Sequence, residues 1–339
     1  MRALLCAWAI GAAPALAEGP YHERPEVQGF IRELVERHGF VETELERLFA
    51  RARHEEAVLQ AIQTPAERVK SWREYRATFL DERRVSAGVA FWATHRKTLE
   101  RAERAYGVPA EYVVAIIGVE TFYGRHTGKW RVVDALATLA FDYPPRAGFF
   151  RGELENYLLF VREKNLDVFS VRGSYAGAMG LPQFMPGSAR RYAVDFDRDG
   201  KVDLRRSPAD AIGSVANFLR QHGWRRGGEP MFAARVSGEA WRELGEGLEP
   251  RRPIEEWLAA GVEVDKLPAE AATQPAVLVE LLTPGEAADY RLGLRNFYVI
   301  TRYNRSAFYA TAVNDLAHAL RARHPGKSAG KKPRQSAGK

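Results

Sequence analysis

The segment that most constrains this chain is Val113-Val114-Ala115-Ile116-Ile117-Gly118-Val119-Glu120-Thr121-Phe122-Tyr123-Gly124. Seven uncharged, mostly large apolar residues precede one carboxylate, and two aromatics follow it closely. A helix this apolar belongs inside a protein. Its terminal Glu120 then stands in a poorly hydrated wall, where low dielectric disfavours the charged form and is expected to raise the carboxyl pKa. A carboxyl of that kind suits a general acid working near neutral pH. The competing reading is a helix-end Glu that points at water.

The helix has a clean beginning. Tyr106-Gly107-Val108-Pro109 places Gly at a helix C′ position and Pro at N1 of the next helix. Upstream, residues 26–106 read as helices, with Phe30, Ile31, Leu34, Val35 and Val85, Val89, Phe91, Trp92 at helical spacing. Downstream, Asp134 to Ala140 predicts a helix ended near Pro144-Pro145, and residues 149–164 a further amphipathic one. Ser207-Pro208-Ala209-Asp210 opens a helix that runs to about Gln221 and stops at Gly223. Between 229 and 285 prolines recur and short apolar strands appear, Ala276 to Leu282 among them. Tyr290 to Arg323 returns to helix, interrupted at Arg302-Tyr303-Asn304-Arg305-Ser306.

At 339 residues with 46% apolar and 27% charged residues, the composition is that of a folded globular protein with a large core. Residues 1–17 stand apart: Arg2, an apolar run from Ala3 to Ala13, and Ala15-Leu16-Ala17 form a signal-peptide pattern, too short for a membrane span. The single cysteine, Cys6, lies inside that leader, so no disulfide is expected. Cys6 has Ala3-Leu4-Leu5 before it and does not fit lipid attachment. No other stretch has the length of a transmembrane segment. The net charge of +7 owes much to Lys327, Lys331, Lys332, Arg334 and Lys339 in a tail with too few apolar residues to order. The body is only mildly basic and carries no nucleic-acid-binding signature.

Three constellations carry chemistry. Glu120 is joined by Gly173-Ser174-Tyr175-Ala176-Gly177-Ala178-Met179-Gly180-Leu181-Pro182-Gln183-Phe184-Met185-Pro186. Its glycines let backbone approach a ligand. Ser174 and Gln183 offer polar contacts, and Met179, Phe184 and Met185 flat apolar ones, which suits a sugar. Asp195-Phe196-Asp197-Arg198-Asp199-Gly200-Lys201 matches the first half of an EF-hand loop, with the Lys201 carbonyl at position 7. Position 12 is Arg206 in place of Glu, and a longer loop could close on Asp210. The third is Tyr303-Asn304 with Tyr309. Phosphate-loop, H-E-x-x-H, G-x-S-x-G and G-x-G-x-x-G patterns are absent, and the eight histidines show no ligand spacing.

Taken together, Glu120-Thr121-x-Tyr123-Gly124, Ala135 through Pro144, the Gly173–Pro186 loop, the Asp-rich loop and Thr301-Arg302-Tyr303-Asn304 resemble the membrane-bound lytic murein transglycosylase B family, over roughly residues 26–323. The resemblance implies a mainly α (α+β) fold: a lysozyme-like core with an added helical domain, a small β subdomain and an EF-hand-like loop. It divides the chain into a signal peptide (1–17), an N-terminal helical domain (18–106), the catalytic core (107–228, ion loop 195–210), the β subdomain (229–289), a C-terminal helical segment returning to the cleft (290–324) and a disordered basic tail (325–339).

The resemblance also implies cleavage of the β-1,4 bond between N-acetylmuramic acid and N-acetylglucosamine in peptidoglycan. The muramic 6-hydroxyl attacks in place of water and leaves a 1,6-anhydro end. Glu120 is then the only catalytic carboxylate, acid first and base second, with the substrate N-acetyl group replacing a second carboxylate. Arg146, Ser174, Gln183, Phe184, Tyr303, Asn304 and Tyr309 match substrate-cleft positions. Asp195, Asp197, Asp199, Lys201 and Asp210 match an ion loop for structural Ca2+ or Na+, with no cofactor required for the chemistry. Two departures stand out: Tyr143-Pro144-Pro145-Arg146 keeps one of two substrate-facing arginines, and the ion loop is one residue longer before Asp210. The leader points to the periplasm; the family name implies a lipid anchor, which Cys6 does not fit, so a monomer without one is expected, with glycan strands and other cell-wall enzymes as partners. Two alternatives remain: a hydrolysing lysozyme-type muramidase with Asp142 as second acid, and a non-catalytic peptidoglycan-binding envelope protein.

Overall fold

A computed structural model describes residues 19–63, 70–265 and 267–324, so the leader, Cys6 and the tail from 325 lie outside the described residues. The apolar segment before Glu120 is a helix, Ala110–Thr121, and every residue from Ala110 to Gly118 is buried. Burying Val113, Val114, Ile116 and Ile117, each 0% exposed, contributes roughly 1.5–3 kcal/mol apiece.

In chain order the preceding helices are α1 (Pro25–His38), α2 (Glu42–Arg51), α3 (Glu56–Gln63), α4 (Trp72–Phe79), α5 (Glu82–Thr94) and α6 (Arg96–Tyr106), and the buried helix is α7 (Ala110–Thr121). Gly107 ends α6 in the left-handed conformation that relieves the terminal carbonyls. Pro109 stands one place earlier than the pattern predicts, at the N-cap of α7. Then come α8 (Val132–Phe141), α9 (Ala147–Glu163), α10 (Pro186–Tyr192) and α11 (Pro208–Gln221). Ser207 caps α11 by accepting from Asp210 N at 3.1 Å, with Pro208 at N1. The last helices are α12 (Ile254–Ala259), α13 (Arg295–Thr301) and α14 (Ala307–Arg323). Helices α5, α6, α11 and α14 all pack on α7.

Two short strands, β1 (Trp130–Arg131) and β2 (Arg172–Gly173), pair antiparallel beside the glycine-rich loop. A five-stranded antiparallel sheet follows, built from β3 (Met231–Val236), β4 (Arg252–Pro253), β5 (Val262–Val264), β6 (Pro275–Leu281) and β7 (Asp289–Gly293) in the order β4-β6-β7-β3-β5. The expectation that Tyr290 begins a helix is corrected here. Residues 289–293 form a central strand, with Tyr290 opposite Glu280 on β6 and Ala234 on β3. Tyr290 and Leu292 alternate into a separate apolar cluster with Trp241, Ile254 and Trp257, a period of two that overrides the helical reading. The sheet is fastened to the N-terminal helices at Trp72, whose backbone N–H donates to Leu282 O (3.0 Å) and whose indole N–H donates to Asp289 Oδ2 (3.2 Å).

Candidate active site

Glu120 is the next-to-last residue of α7, and the chain beyond it is held in a costly shape. Phe122 and Tyr123 both take positive φ, 51° and 59°, a region that non-glycine residues avoid. Backbone bonds from Phe122 N to Gly118 O (3.1 Å) and Tyr123 N to Ile117 O (3.3 Å) close the helix. The Thr121 hydroxyl points at Leu181 O (3.0 Å) and accepts from Gly124 N (2.9 Å), joining this corner to the glycine-rich loop. Tyr123 folds back beneath the helix. A Cβ on Gly118 would lie 2.6 Å from its hydroxyl oxygen, and one on Gly88 of α5 only 2.2 Å, so both glycines make room for the ring.

Arg84, also on α5, donates from Nη1 to Gly118 O (2.5 Å) with its guanidinium over Phe79 and Phe122. Burial lowers its pKa, while cationic contact with the carbonyl end of α7 opposes the helix dipole. No motif in the sequence singled out Arg84.

The side chain of Glu120 meets α14. Tyr309, 2% exposed, donates its phenolic hydrogen to Glu120 Oε1 at 2.6 Å. Burial and then the Glu120 charge hold the Tyr309 phenol well above its ordinary pKa, so it remains a donor. Tyr303 stacks on Tyr309 with ring centroids 6.4 Å apart at 14°, and donates to Pro182 O at 2.6 Å. Its pKa is likewise pushed well up, by burial and then Glu120. Buried Tyr75, on α4, is close enough to add to the Tyr309 shift; sequence reasoning missed it, although Trp72-x-x-Tyr75 is an aromatic helix stripe. Three tyrosines, from two segments distant in sequence from Glu120, thus gather beside one carboxylate.

In the loop, Ser174 Oγ accepts from Ala178 N (3.1 Å), and Gln183 sits at φ 49° with its amide donating to Gly180 O (2.8 Å) and Thr127 O (3.3 Å). Phe184 requires correction as a contact surface. It is 2% exposed, packed against Phe218 and the Tyr303 ring (5.7 Å), and supports Tyr303 from behind. Asn304 is exposed in the turn that follows Tyr303. Arg146 is exposed at the start of α9, its guanidinium over Phe149 (4.4 Å) and Phe150 (5.1 Å), contacts that do not join it to the Glu120 cluster.

Asp142, the candidate second acid, is committed elsewhere. Arg24 Nη1 donates to it at 2.5 Å, the Tyr21 hydroxyl at 2.6 Å, and His54 Nδ1 lies 2.8 Å away. Arg24 and Asp142 are both buried. This carboxylate ties the N-terminal segment to the end of α8.

The Asp-rich loop brings together Asp195, Asp197 and Asp210, whose carboxylate oxygens lie within 4.8 Å of one another. Asp210 is 1% exposed, fixed by Phe196 N and Asp203 N at 2.8 Å each, and its pKa is raised by burial. Asp197 is lowered by the Ser207 hydroxyl. Three hard oxygen donors of like charge, one of them buried, fit a Ca2+ set. Asp199 departs from expectation: its carboxylate accepts from Lys201 N (2.8 Å), closing the turn, and lies outside that group. Just before Asp210 the chain turns on Asp203, which accepts from Arg205 N and Arg206 N at 2.9 Å each.

Residues 22–318 match the family model described as Transglycosylase SLT domain. The chain is 42% identical over 311 residues to the membrane-bound lytic murein transglycosylase B of Escherichia coli (strain K12), across 89% of this chain and 84% of that protein. The crystal structure of soluble lytic transglycosylase SltB1 from Pseudomonas aeruginosa superposes with a TM-score of 0.82 at 48% identity, over 88% of this chain and 99% of that one. The Escherichia coli lytic transglycosylase Slt35 in complex with calcium gives 0.79 at 39% identity, over 91% and 95%. The likeness spans both the helices that carry Glu120 and Tyr309 and the sheet beside them, and the chain belongs to the lytic murein transglycosylase B family of SLT-domain enzymes.

Proposed function

We propose that Glu120 performs both proton transfers in the cleavage of peptidoglycan by this lytic transglycosylase. Protonated Glu120 gives its proton to the glycosidic oxygen between N-acetylmuramic acid and N-acetylglucosamine as the bond to the anomeric carbon breaks. The resulting carboxylate then takes the proton of the muramic 6-hydroxyl, whose oxygen attacks that carbon and closes a 1,6-anhydro ring. One residue acting as acid and then base obeys microscopic reversibility.

The observation that carries the reading is the Tyr309 hydroxyl on Glu120 Oε1. It orients the carboxylate and stabilises the anion formed after the first transfer. The commitment of Asp142 to Arg24, Tyr21 and His54 speaks against a hydrolytic second acid. Ser174, Gln183, Tyr303 and Asn304 line the sugar path in this reading, and Arg146 meets a substrate carboxylate further along.

Asp195, Asp197 and Asp210 would hold a calcium ion, which supplies charge neutralisation to the loop behind the site. Action in the periplasm is supported by the leader pattern of residues 1–17. No described helix is long and apolar enough to cross a membrane.

The test is mass spectrometry of soluble products after digestion of peptidoglycan sacculi, beside Glu120→Gln. Muropeptides ending in 1,6-anhydro-muramic acid, lost in Glu120→Gln, are expected. Reducing-end products heavier by one water would establish hydrolysis instead.

A further inference from the structure

Arg84 grips the chain on both sides of Glu120. Its Nη1 donates to the carbonyl of Gly118, two residues before the carboxylate, at 2.5 Å. Its guanidinium also lies over the ring of Phe122, two residues after the carboxylate, 4.8 Å from the centroid. A second ring, Phe79, stands 5.1 Å from the same guanidinium carbon.

The gripped segment is one that needs holding. Phe122 and Tyr123 are both left-handed, and non-glycine residues persist in that region only where their surroundings fix them. Tyr123 is fixed by the space at Gly88 and Gly118 and by Phe91, 5.6 Å away. Phe122 is half-buried and carries two guanidinium groups, that of Arg84 and that of exposed Arg125 at 5.0 Å. Arg84 is the one tied to a carbonyl of α7.

Stability alone does not account for a cation here. The Arg84 side chain is 13% exposed, and its Nε lies 3.7 Å from Asp81 Oδ2, longer than a hydrogen bond. Burial is the largest influence on its charge and opposes it. At the third position of α5 it also stands at the positive end of its own helix. These costs are offset on the far side, where the group meets the carbonyl end of α7. An apolar side chain would incur neither cost.

We propose that Arg84 is a positioning residue for the cleavage reaction: by holding Gly118 O and the Phe122 ring together, it fixes the end of α7 and so the direction of the Glu120 side chain. The proposal rests on the reading of Glu120 as acid and base. Tyr309 holds that carboxyl at its tip, and Arg84 holds the backbone from which it springs. Each proton transfer needs a carboxyl oxygen within about 2.6–3.2 Å of its target. A misplacement of about 1 Å costs about a hundredfold in rate. The sugar contacts proposed for Ser174, Gln183 and Asn304 stand on other segments, so loss of Arg84 lowers kcat and spares KM.

The test compares Arg84→Met and Arg84→Lys with the unaltered protein on soluble glycan strands, reading the rate at which 1,6-anhydro ends form. Rates are taken per folded molecule, with the folded fraction from melting curves. Arg84→Met should lower kcat about tenfold or more and keep KM within about twofold. Arg84→Lys keeps a charge and a donor but not the flat guanidinium, so it should fall between the two, and it decides the matter if Arg84→Met does not fold. Arg83→Met, at the exposed neighbouring position, should keep kcat. Undiminished kcat in either folded Arg84 variant, a raised KM with kcat unchanged, or an equal loss in Arg83→Met would each overturn the proposal.

A second measurement is independent of turnover. The Phe122 and Tyr123 amides bond to Gly118 O and Ile117 O, and their hydrogen exchange is followed in the Glu120→Gln protein. Adding Arg84→Met should speed that exchange about tenfold. Unchanged exchange overturns the proposal. Faster exchange, beside a Glu120→Gln protein that still cleaves glycan, supports the grip and overturns the catalytic reading alone.

Discussion

Tyr309 and Glu120 are 189 positions apart in the chain, yet the phenol donates to the carboxylate at 2.6 Å. A donor on the charged form favours that form. A hydrogen bond to a charged group is worth about 1.5–3 kcal/mol. Tyr309→Phe should therefore lower kcat/KM roughly ten- to a hundredfold if the bond tightens in the transition state. Loss of the donor also makes the proton harder to remove, so the high-pH limb of the rate profile should move upward. An unmoved limb with full activity would remove Tyr309 from the acid–base machinery.

Asp142 makes the opposite prediction. Breaking a buried ion pair by removing one partner costs about 3–5 kcal/mol. Asp142→Asn should lower the urea midpoint sharply and leave turnover of the folded fraction intact. A folded Asp142→Asn protein without turnover would return this residue to the catalytic discussion.

Gly118→Ala sets two effects against each other. Alanine gains about 1 kcal/mol in helix propensity. Its Cβ, however, would stand 2.6 Å from the Tyr123 hydroxyl, and overpacking costs about 1–3 kcal/mol. The second effect should win, giving a less stable protein with a displaced helix end and reduced kcat. A gain in melting temperature would show that the Tyr123 ring can move aside.

His222 should make stability depend on pH. Its pKa is lowered, chiefly by burial, with its ring 4.0 Å from that of Phe218 and Nδ1 2.8 Å from Phe218 O. A depressed folded pKa means that the unfolded chain binds the proton more readily. The contribution is therefore present above the ordinary value near about 6.5 and is lost as pH falls through the lowered folded value. Urea midpoints measured from pH 7.5 down to 5 should fall, and His222→Phe should flatten that slope.

Calcium should stabilise the protein by mass action, about 2.7 kcal/mol at a hundredfold excess over Kd. A chelator should lower the melting temperature, and Asp210→Asn should abolish the response. An Asp199→Asn protein that still responds fully would agree with the turn-closing geometry of that residue. A calcium response that survives Asp210→Asn would place the ion elsewhere.

What the sequence disclosed was mostly local. Seven apolar residues before Glu120 announce a buried helix, because periodicity and hydrophobicity act within one segment. Alternating Asp195, Asp197 and Asp199 announce an acidic loop for the same reason, although only tertiary closure decides that Asp210 joins the carboxylate group and Asp199 does not. Partner choice across the fold was not legible. Nothing near Arg84 says that it will reach Gly118, and nothing near Asp142 says that Arg24 will claim it. Tyr290 failed because a five-residue strand and a helix start look alike until its neighbours pair with it. Phe184 failed because a loop aromatic can face either the ligand or the core, and Tyr303 decides which.

The phenol that meets Glu120 arrives on α14, the last helix described. A chain folding from its N-terminus therefore holds its acid long before it holds the group that steadies it. The Glu120 carboxylate gains its phenol donor only when the C-terminal segment has docked.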